Sequence, residues 1–361
     1  MDYLAFWCVL ILRFKPRHIA KLILAQQNWQ YRPPALWLVP RIGVPMREPF
    51  ELVETYDLPT PTQQPADAPT PVDRLYVVLD ALWFIGWYSL RGAVFALKIL
   101  LALIVTVTVA TVAVTLPLRW WETGESQFMR DNPTQPVVQQ WVDLKHMSRY
   151  PLATVIVLED VDFGNRALAF DPGFFLETAK KHMSGEDVDG GSTIPQQLVK
   201  NIYLSEDRSA WRKGPEALLA MTFNAFVPEA RQLELYFNYA QFGPNLYGLC
   251  AASWYYFNTP PWSLSEFESA QLVAILPLPS EARRAKDGGI YVLGPKSSAV
   301  FNYKVYEKAP NDLAWVGGYE ALMERIGIED KASDYADERG ENSCSSMPAS
   351  VRDLLVSGGF E

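Results

Sequence analysis

The twenty residues 99–118, ILLALIVTVTVATVAVTLPL, carry no charged side chain. At about 1.5 Å of rise per residue a helix of that length spans about 30 Å, the thickness of a bilayer's hydrocarbon core. The flanks agree: Arg91 and Lys98 precede the run, and Arg119-Trp120-Trp121 follows it as an interfacial anchor. The competing reading is a buried helix of a soluble core, which this length disfavours. A membrane helix over 99–118 therefore divides the chain.

Ahead of it, the first 47 residues hold seven Lys/Arg and one acid, Asp2. Their apolar run Tyr3–Leu12 is too short to span, and its basic residues follow it, the reverse of a cleavable secretion signal. Ten of the 27 prolines fall in residues 33–71, which read as an extended linker. Residues 1–74 are thus expected to be a basic, proline-rich cytoplasmic region lying against anionic lipid. Residues 75–98 are expected to form an interfacial helix, with a first transmembrane helix as the rival reading. The excess of basic residues before residue 99 (ten against eight acids) favours a single crossing with the amino terminus inside.

Beyond the span, residues 119–361 carry 22 basic and 33 acidic residues, within a chain whose net charge is −9. No basic surface for nucleic acid is to be had from that balance. Three cysteines (Cys8, Cys250, Cys344) and three histidines (His18, His146, His182), all widely spaced, indicate neither a disulfide framework nor a zinc site. Apolar spacing of three to four predicts helices over Phe174–Met183, Ile194–Leu204, Glu216–Phe226 and Glu229–Tyr236, with further helices at Gly248–Phe257 and Leu264–Leu276. Ala153–Leu158 (ATVIVL) reads as a short buried strand. Residues 331–361 read as a polar, disordered tail.

Four clusters within residues 119–330 carry candidate chemistry. Glu159-Asp160-Val161-Asp162-Phe163 places carboxyls directly after an apolar run, the setting of many proton-transfer groups, although a solvated turn fits the same residues. Gly190-Gly191-Ser192-Thr193-Ile194-Pro195-Gln196-Gln197 leads through a Ser/Thr cap and an early proline into a helix carrying Lys200 and Asn201. Gln196 and Lys200 are expected to project from one face of it. The free amides at its start suit an anionic ligand, and an ordinary well-capped helix fits equally well. Arg212-Lys213-Gly214-Pro215-Glu216 allows an Arg212–Glu216 pair at i,i+4. The run from Glu234-Leu235-Tyr236-Phe237-Asn238 through Phe242-Gly243 and Tyr247-Gly248 to Tyr256-Phe257 reads as helix packing with tight turns.

In this order and spacing the clusters resemble the peptidoglycan glycosyltransferases, glycosyltransferase family 51, which polymerise lipid II. The family's E-D-x-x-F resembles Glu159-Asp160-x-x-Phe163. Its G-G-S-T-I-[TS]-Q-Q-x-x-K-N matches residues 190–201 except at Pro195, and its R-K-x-x-E is Arg212 to Glu216. Ala270–Pro279 resembles the family's closing A-x-L-x-A-x-L-P-x-P segment. With one preceding span and no recognisable penicillin-binding domain afterwards, the chain is similar to the monofunctional branch.

The resemblance implies a mainly α architecture, with a lysozyme-like glycosyltransferase domain behind a single transmembrane helix and an apolar lobe for which Ala169–Phe175 is the candidate. It implies a protein of the bacterial inner membrane with its catalytic domain outside. The implied reaction is an inverting transfer that expels undecaprenyl pyrophosphate. Glu159 would be the base, Glu216 a second catalytic carboxyl, and Lys200 and Arg212 the groups holding pyrophosphate. Thr193 and Gln197 would complete the donor site, with Phe163 beside them, and Asp160 would support the base or a divalent ion, Mg or Mn. Partners would be lipid II, the growing glycan chain, membrane lipid, and cell-wall synthesis or division proteins. The sequence departs from the family at Arg166 (histidine), Leu168 (glycine) and Pro195 (a hydroxyl residue). Arg166 would add a fixed charge, and Leu168 bulk, beside Glu159. A catalytically degenerate relative acting as a lipid II-binding or cell-wall scaffold is therefore one alternative, and a glycan hydrolase using Glu159 as an acid is another.

Overall fold

The computed structural model describes residues 70–184, 191–205, 213–328 and 339–360. The basic and proline-rich expectations for residues 1–69, and the residues Gly190 and Arg212, lie outside the described residues. By its internal contacts the chain divides into units 1–101 and 102–361.

The described part of the first unit is helical, and the helix α1, Pro71–Thr115, continues from it without a break. Residues 75–90 and the apolar run up to Thr115 are thus one helix. The Asp80 and Arg91-Gly92 interruptions do not end it, since a single glycine in a helix costs only about 1 kcal/mol. Among the described residues one helix is long and apolar enough to cross a membrane, and almost none of its span is buried in the protein. At about 1.5 Å per residue its 45 residues exceed a bilayer core twofold, so only part of it can lie in lipid.

The second unit is mainly α, as expected. The end of α1 passes through a 3-10 turn, Leu116–Arg119. Carbonyls that a helix end leaves without partners are satisfied here by side chains. Tyr203 Oη donates to Val114 O at 2.8 Å, Arg231 Nε to Leu118 O at 3.0 Å, and Arg119 to Phe226 O at 2.9 Å. There follow α2 (Gln127–Asp131), α3 (Arg149–Glu159), α4 (Pro172–Met183), α5 (Ile194–Tyr203), α6 (Lys213–Phe226), α7 (Glu229–Tyr239), α8 (Leu249–Phe257) and α9 (Glu266–Ala274). A two-stranded antiparallel hairpin comes next, β1 (Ala282–Arg284) with β2 (Ile290–Val292). Then come α10 (Pro295–Tyr303), a π-helical turn at Lys304–Lys308, α11 (Ala309–Trp315), α12 (Gly318–Arg325) and α13 (Ala349–Ser357).

α3 overturns the strand expected at Ala153–Leu158. Pro151 through Val157 are all buried, because α9, α11 and α12 pack around the helix. A run that is apolar on every side has no period to separate strand from helix, so its surroundings decide. Ser148 caps the start by accepting from Tyr150 N. Thr154 Oγ1 donates to Tyr150 O at 2.7 Å, which satisfies a buried hydroxyl. α3 places Glu159 at its last turn and Asp160 immediately after it.

The expected disordered tail is corrected for its described residues, 339–360. Cys250 on α8 is disulfide-bonded to Cys344, with the Cα atoms 5.9 Å apart, a bond that the cysteine spacing did not indicate. Trp254 Nε1 donates to Cys344 O at 2.9 Å, and Val351 and Leu355 of α13 are buried. Apolar residues at i and i+4, together with a covalent tether, hold a segment whose polar composition conceals it.

Candidate active site

Two cavities flank the start of α5. The first, about 270 Å³, is lined by Glu159, Asp160, Arg166, Thr193 and Lys213 on its polar side and by Phe170, Phe174 and Phe175 on its apolar side. The second, about 520 Å³, is lined by Gln197, Lys200, Asn201, Tyr236 and the Pro277–Ser280 segment among others.

α5 begins as its sequence predicts. Thr193 is the N-cap and forms a reciprocal capping box with Gln196, while Thr193 Oγ1 also donates to Ala169 O at 2.7 Å. Gln196 is therefore turned inward and nearly fully buried. It does not share an exposed face with Lys200, which corrects that expectation: the box recruits the third helical residue to the cap. Gly191 has φ +84°, which favours glycine, and a Cβ there would lie 2.2 Å from the Phe174 ring and displace it. Thr193→Ala is expected to lower unfolding free energy by about 1 kcal/mol, read as a shift of the denaturant midpoint.

Gln197 connects the two cavities. Its Nε2 donates to Glu159 Oε2 at 3.2 Å and to Ser192 O at 3.1 Å, and its Oε1 accepts from Tyr236 Oη at 2.8 Å. The Tyr236 hydroxyl thereby fixes which way the amide points. Burial, with the carboxylates of Glu159 and Asp160 nearby, holds the Tyr236 hydroxyl well above the usual tyrosine range. Burial likewise pushes Tyr203 up to about 12. A raised folded value stabilises the fold fully below the unfolded tyrosine value of about 10, and that stability is lost as pH rises through the folded value. Thermal midpoints should thus fall steeply above about pH 10, with the part of the tyrosinate absorbance that belongs to the buried hydroxyls appearing only as the fold is lost.

Asp160 is engaged by Arg166, which donates to both carboxylate oxygens at 2.6 and 2.7 Å, and by Ile194 N at 3.0 Å. Arg166 is therefore the partner of Asp160 and not of Glu159, although it lines the same cavity. Leu168 is half exposed and lines neither cavity, so the bulk expected beside Glu159 is absent. Lys304 is the cation on Glu159, its Nζ 3.0 Å from Oε1. Glu216 is buried and pairs with Lys213 at 2.7 Å. Arg212, the partner expected for Glu216, lies outside the described residues.

The structure brings Glu159, Asp160 and Thr193 into one cavity, with Gln197 bonded to Glu159 and lining the other cavity alongside Lys200. Lys200 Nζ stands 5.6 Å over the Phe128 ring. Phe163 is a core residue and lines neither cavity, and Glu216 reaches the first only through Lys213. Lys213 and Lys304 are site residues that sequence reasoning missed. Lys213 stood within a recognised cluster, whereas nothing local marks Lys304.

Among the described residues no group of three or more His, Cys, Asp or Glu is placed to hold a metal ion, and Asp160, the residue expected to support one, is engaged by a guanidinium and an amide. The arrangement offers one carboxylate held by neutral and cationic donors at a cavity, with lysines to meet an anion.

A family model described as Transglycosylase matches residues 126–293, which contain both cavities' principal residues. The biosynthetic peptidoglycan transglycosylase of Acinetobacter baylyi is 37% identical over 193 residues, covering 51% of this chain and 86% of that protein. Its namesake from Alcanivorax borkumensis is 39% identical over 167 residues, 46% of this chain and 68% of that protein. That of Burkholderia thailandensis is 36% identical over 165 residues, 43% and 64% respectively. The chain belongs to the peptidoglycan glycosyltransferases of glycosyltransferase family 51.

Proposed function

We propose that the protein is a single-pass membrane enzyme that polymerises lipid II into glycan strands with release of undecaprenyl pyrophosphate. The observation that carries this reading is the Glu159 carboxylate at the first cavity, held by Gln197 of the capped helix α5. In the reaction Glu159 takes the proton from the attacking sugar hydroxyl. The hydroxyl oxygen forms its bond to the anomeric carbon of the second lipid-linked sugar from the opposite face. The bond from that carbon to pyrophosphate oxygen breaks, and its electron pair leaves with the pyrophosphate. Lys200, which lines the second cavity, and Arg212 supply opposite charge to the leaving group, and Lys213 adds a cation at the first cavity.

Asp160 supports the base indirectly. It pins the Ile194 amide and so fixes the start of α5, from which Gln197 reaches Glu159. The Tyr203, Arg119 and Arg231 contacts tie the end of α1 to α5, α6 and α7. That anchorage supports an active site held at the bilayer surface, where a lipid-linked substrate resides. The Cys250–Cys344 disulfide supports an oxidising compartment for the domain, hence the extracytoplasmic side and a cytoplasmic amino terminus. The full-length protein in detergent, given labelled lipid II, should yield glycan polymer. Cleavage of preformed strands without polymer would favour the hydrolase, and lipid II binding without turnover the degenerate scaffold.

A further inference from the structure

Lys304 opens the π-helical turn between α10 and α11, beyond residue 293, where the family match ends. Its Nζ is 3.0 Å from Glu159 Oε1, and the two side chains are only 16% and 14% exposed. Phe301, Val305 and Ala309, buried at four-residue steps through this turn, seat the segment in the core. Single π turns inside helices are frequent at functional sites, because they shift the positions at which side chains emerge.

Glu159 thus has one donor on each oxygen, Lys304 on Oε1 and Gln197 on Oε2. The two donors come from distant parts of the chain, and together they fix the plane of the carboxylate while leaving each oxygen a lone pair. Arg166 cannot substitute for Lys304, since Asp160 holds it at both ends of its fork.

We infer that Lys304 is a positioning residue for the transfer reaction: its ammonium, with the Gln197 amide opposite, aims the Glu159 carboxylate at the incoming sugar hydroxyl. The inference rests on the proposed function and adds to it a residue outside the matched family segment.

Initial rates with labelled lipid II test it on the full-length protein in detergent. Lys304→Met should lower kcat about 10- to 100-fold while KM stays within about twofold, the pattern of a lost transition-state contribution. Lys304→Arg should recover most of that kcat. Lys308→Met, whose lysine pairs with Asp312 in the same turn, should match the wild type. In a Glu159→Gln background, Lys304→Met should remove nothing further from the residual rate, because the lysine acts through the carboxylate. Thermal midpoints accompany each variant, and Lys304→Gln carries the same test should Lys304→Met fail to fold.

A Lys304→Met enzyme with wild-type kcat overturns the inference, as does a rise in KM alone, which would make Lys304 a substrate contact. Loss that Lys304→Arg does not rescue, with a lowered thermal midpoint, would make it a structural pair. Absence of polymer from the wild type itself would overturn the proposed function and this inference with it, a result distinguishable because it precedes any variant.

Discussion

Glu159→Gln is expected to reduce glycan polymer formation about 10²- to 10⁴-fold, the range that a positioned proton acceptor contributes, while lipid II binding persists. The substitution keeps the shape of the side chain and removes its ability to take a proton. Asp160 cannot take over, because Arg166 and the Ile194 amide occupy both of its oxygens. Glu216 cannot either, being buried against Lys213 and outside both cavities. The mutant should remain folded: the new amide can turn its oxygen to the Lys304 ammonium, and only the 3.2 Å contact with Gln197 Nε2 is lost, two amide donors then facing each other. Side-by-side polymerisation and lipid II binding measurements decide the matter. Polymer at wild-type rates from the variant would remove Glu159 from the chemistry, and binding without polymer from both proteins would make the chain a degenerate relative.

How much of this site could be read beforehand follows from how local each determinant is. The start and extent of α5 were legible, because a glycine pair, a threonine cap and an early proline act within one turn of each other; Gln196 was not, since it was expected on one face with Lys200 and the cap draws it inward. The helices α4, α6 and α7 were legible from apolar residues spaced three to four apart, and α8 and α9 were expected as further helices. α3 was not, since burial on every side erases the period that distinguishes helix from strand. The disulfide was hidden by 94 residues of separation and an odd cysteine count. With it went the packing of α13, whose two buried residues are few against a polar stretch. Lys304 meets Glu159 across 145 residues through a π turn, and no local pattern announces such a contact. Arg166 was legible as a departure from the family, but its partner was not. Which of two adjacent carboxyls a guanidinium reaches depends on the turn after α3, where Asp160 adopts φ −158° and points back toward Arg166 and α5.

That partnership makes Asp160→Ala the substitution with the largest expected cost to stability. The Asp160 side chain is 2% exposed and Arg166 20%. Removing the carboxylate strands a guanidinium with little water to solvate it and leaves the Ile194 amide without an acceptor. Breaking one side of a buried pair costs about 3–5 kcal/mol, and the partial exposure of Arg166 brings the expectation to about 2–4 kcal/mol. Arg166→Leu should cost less, because Asp160 retains the Ile194 amide. The double variant should recover part of the Asp160→Ala loss, since no uncompensated guanidinium remains buried. Denaturant unfolding of the four proteins gives the coupling directly. Costs that simply add would mean that the fork is not a bidentate pair in solution. A strong coupling would explain how the chain holds an arginine where the family has histidine: the charge is consumed by Asp160, which in turn fixes the start of α5. The Glu159 carboxylate is then left to Gln197 and Lys304.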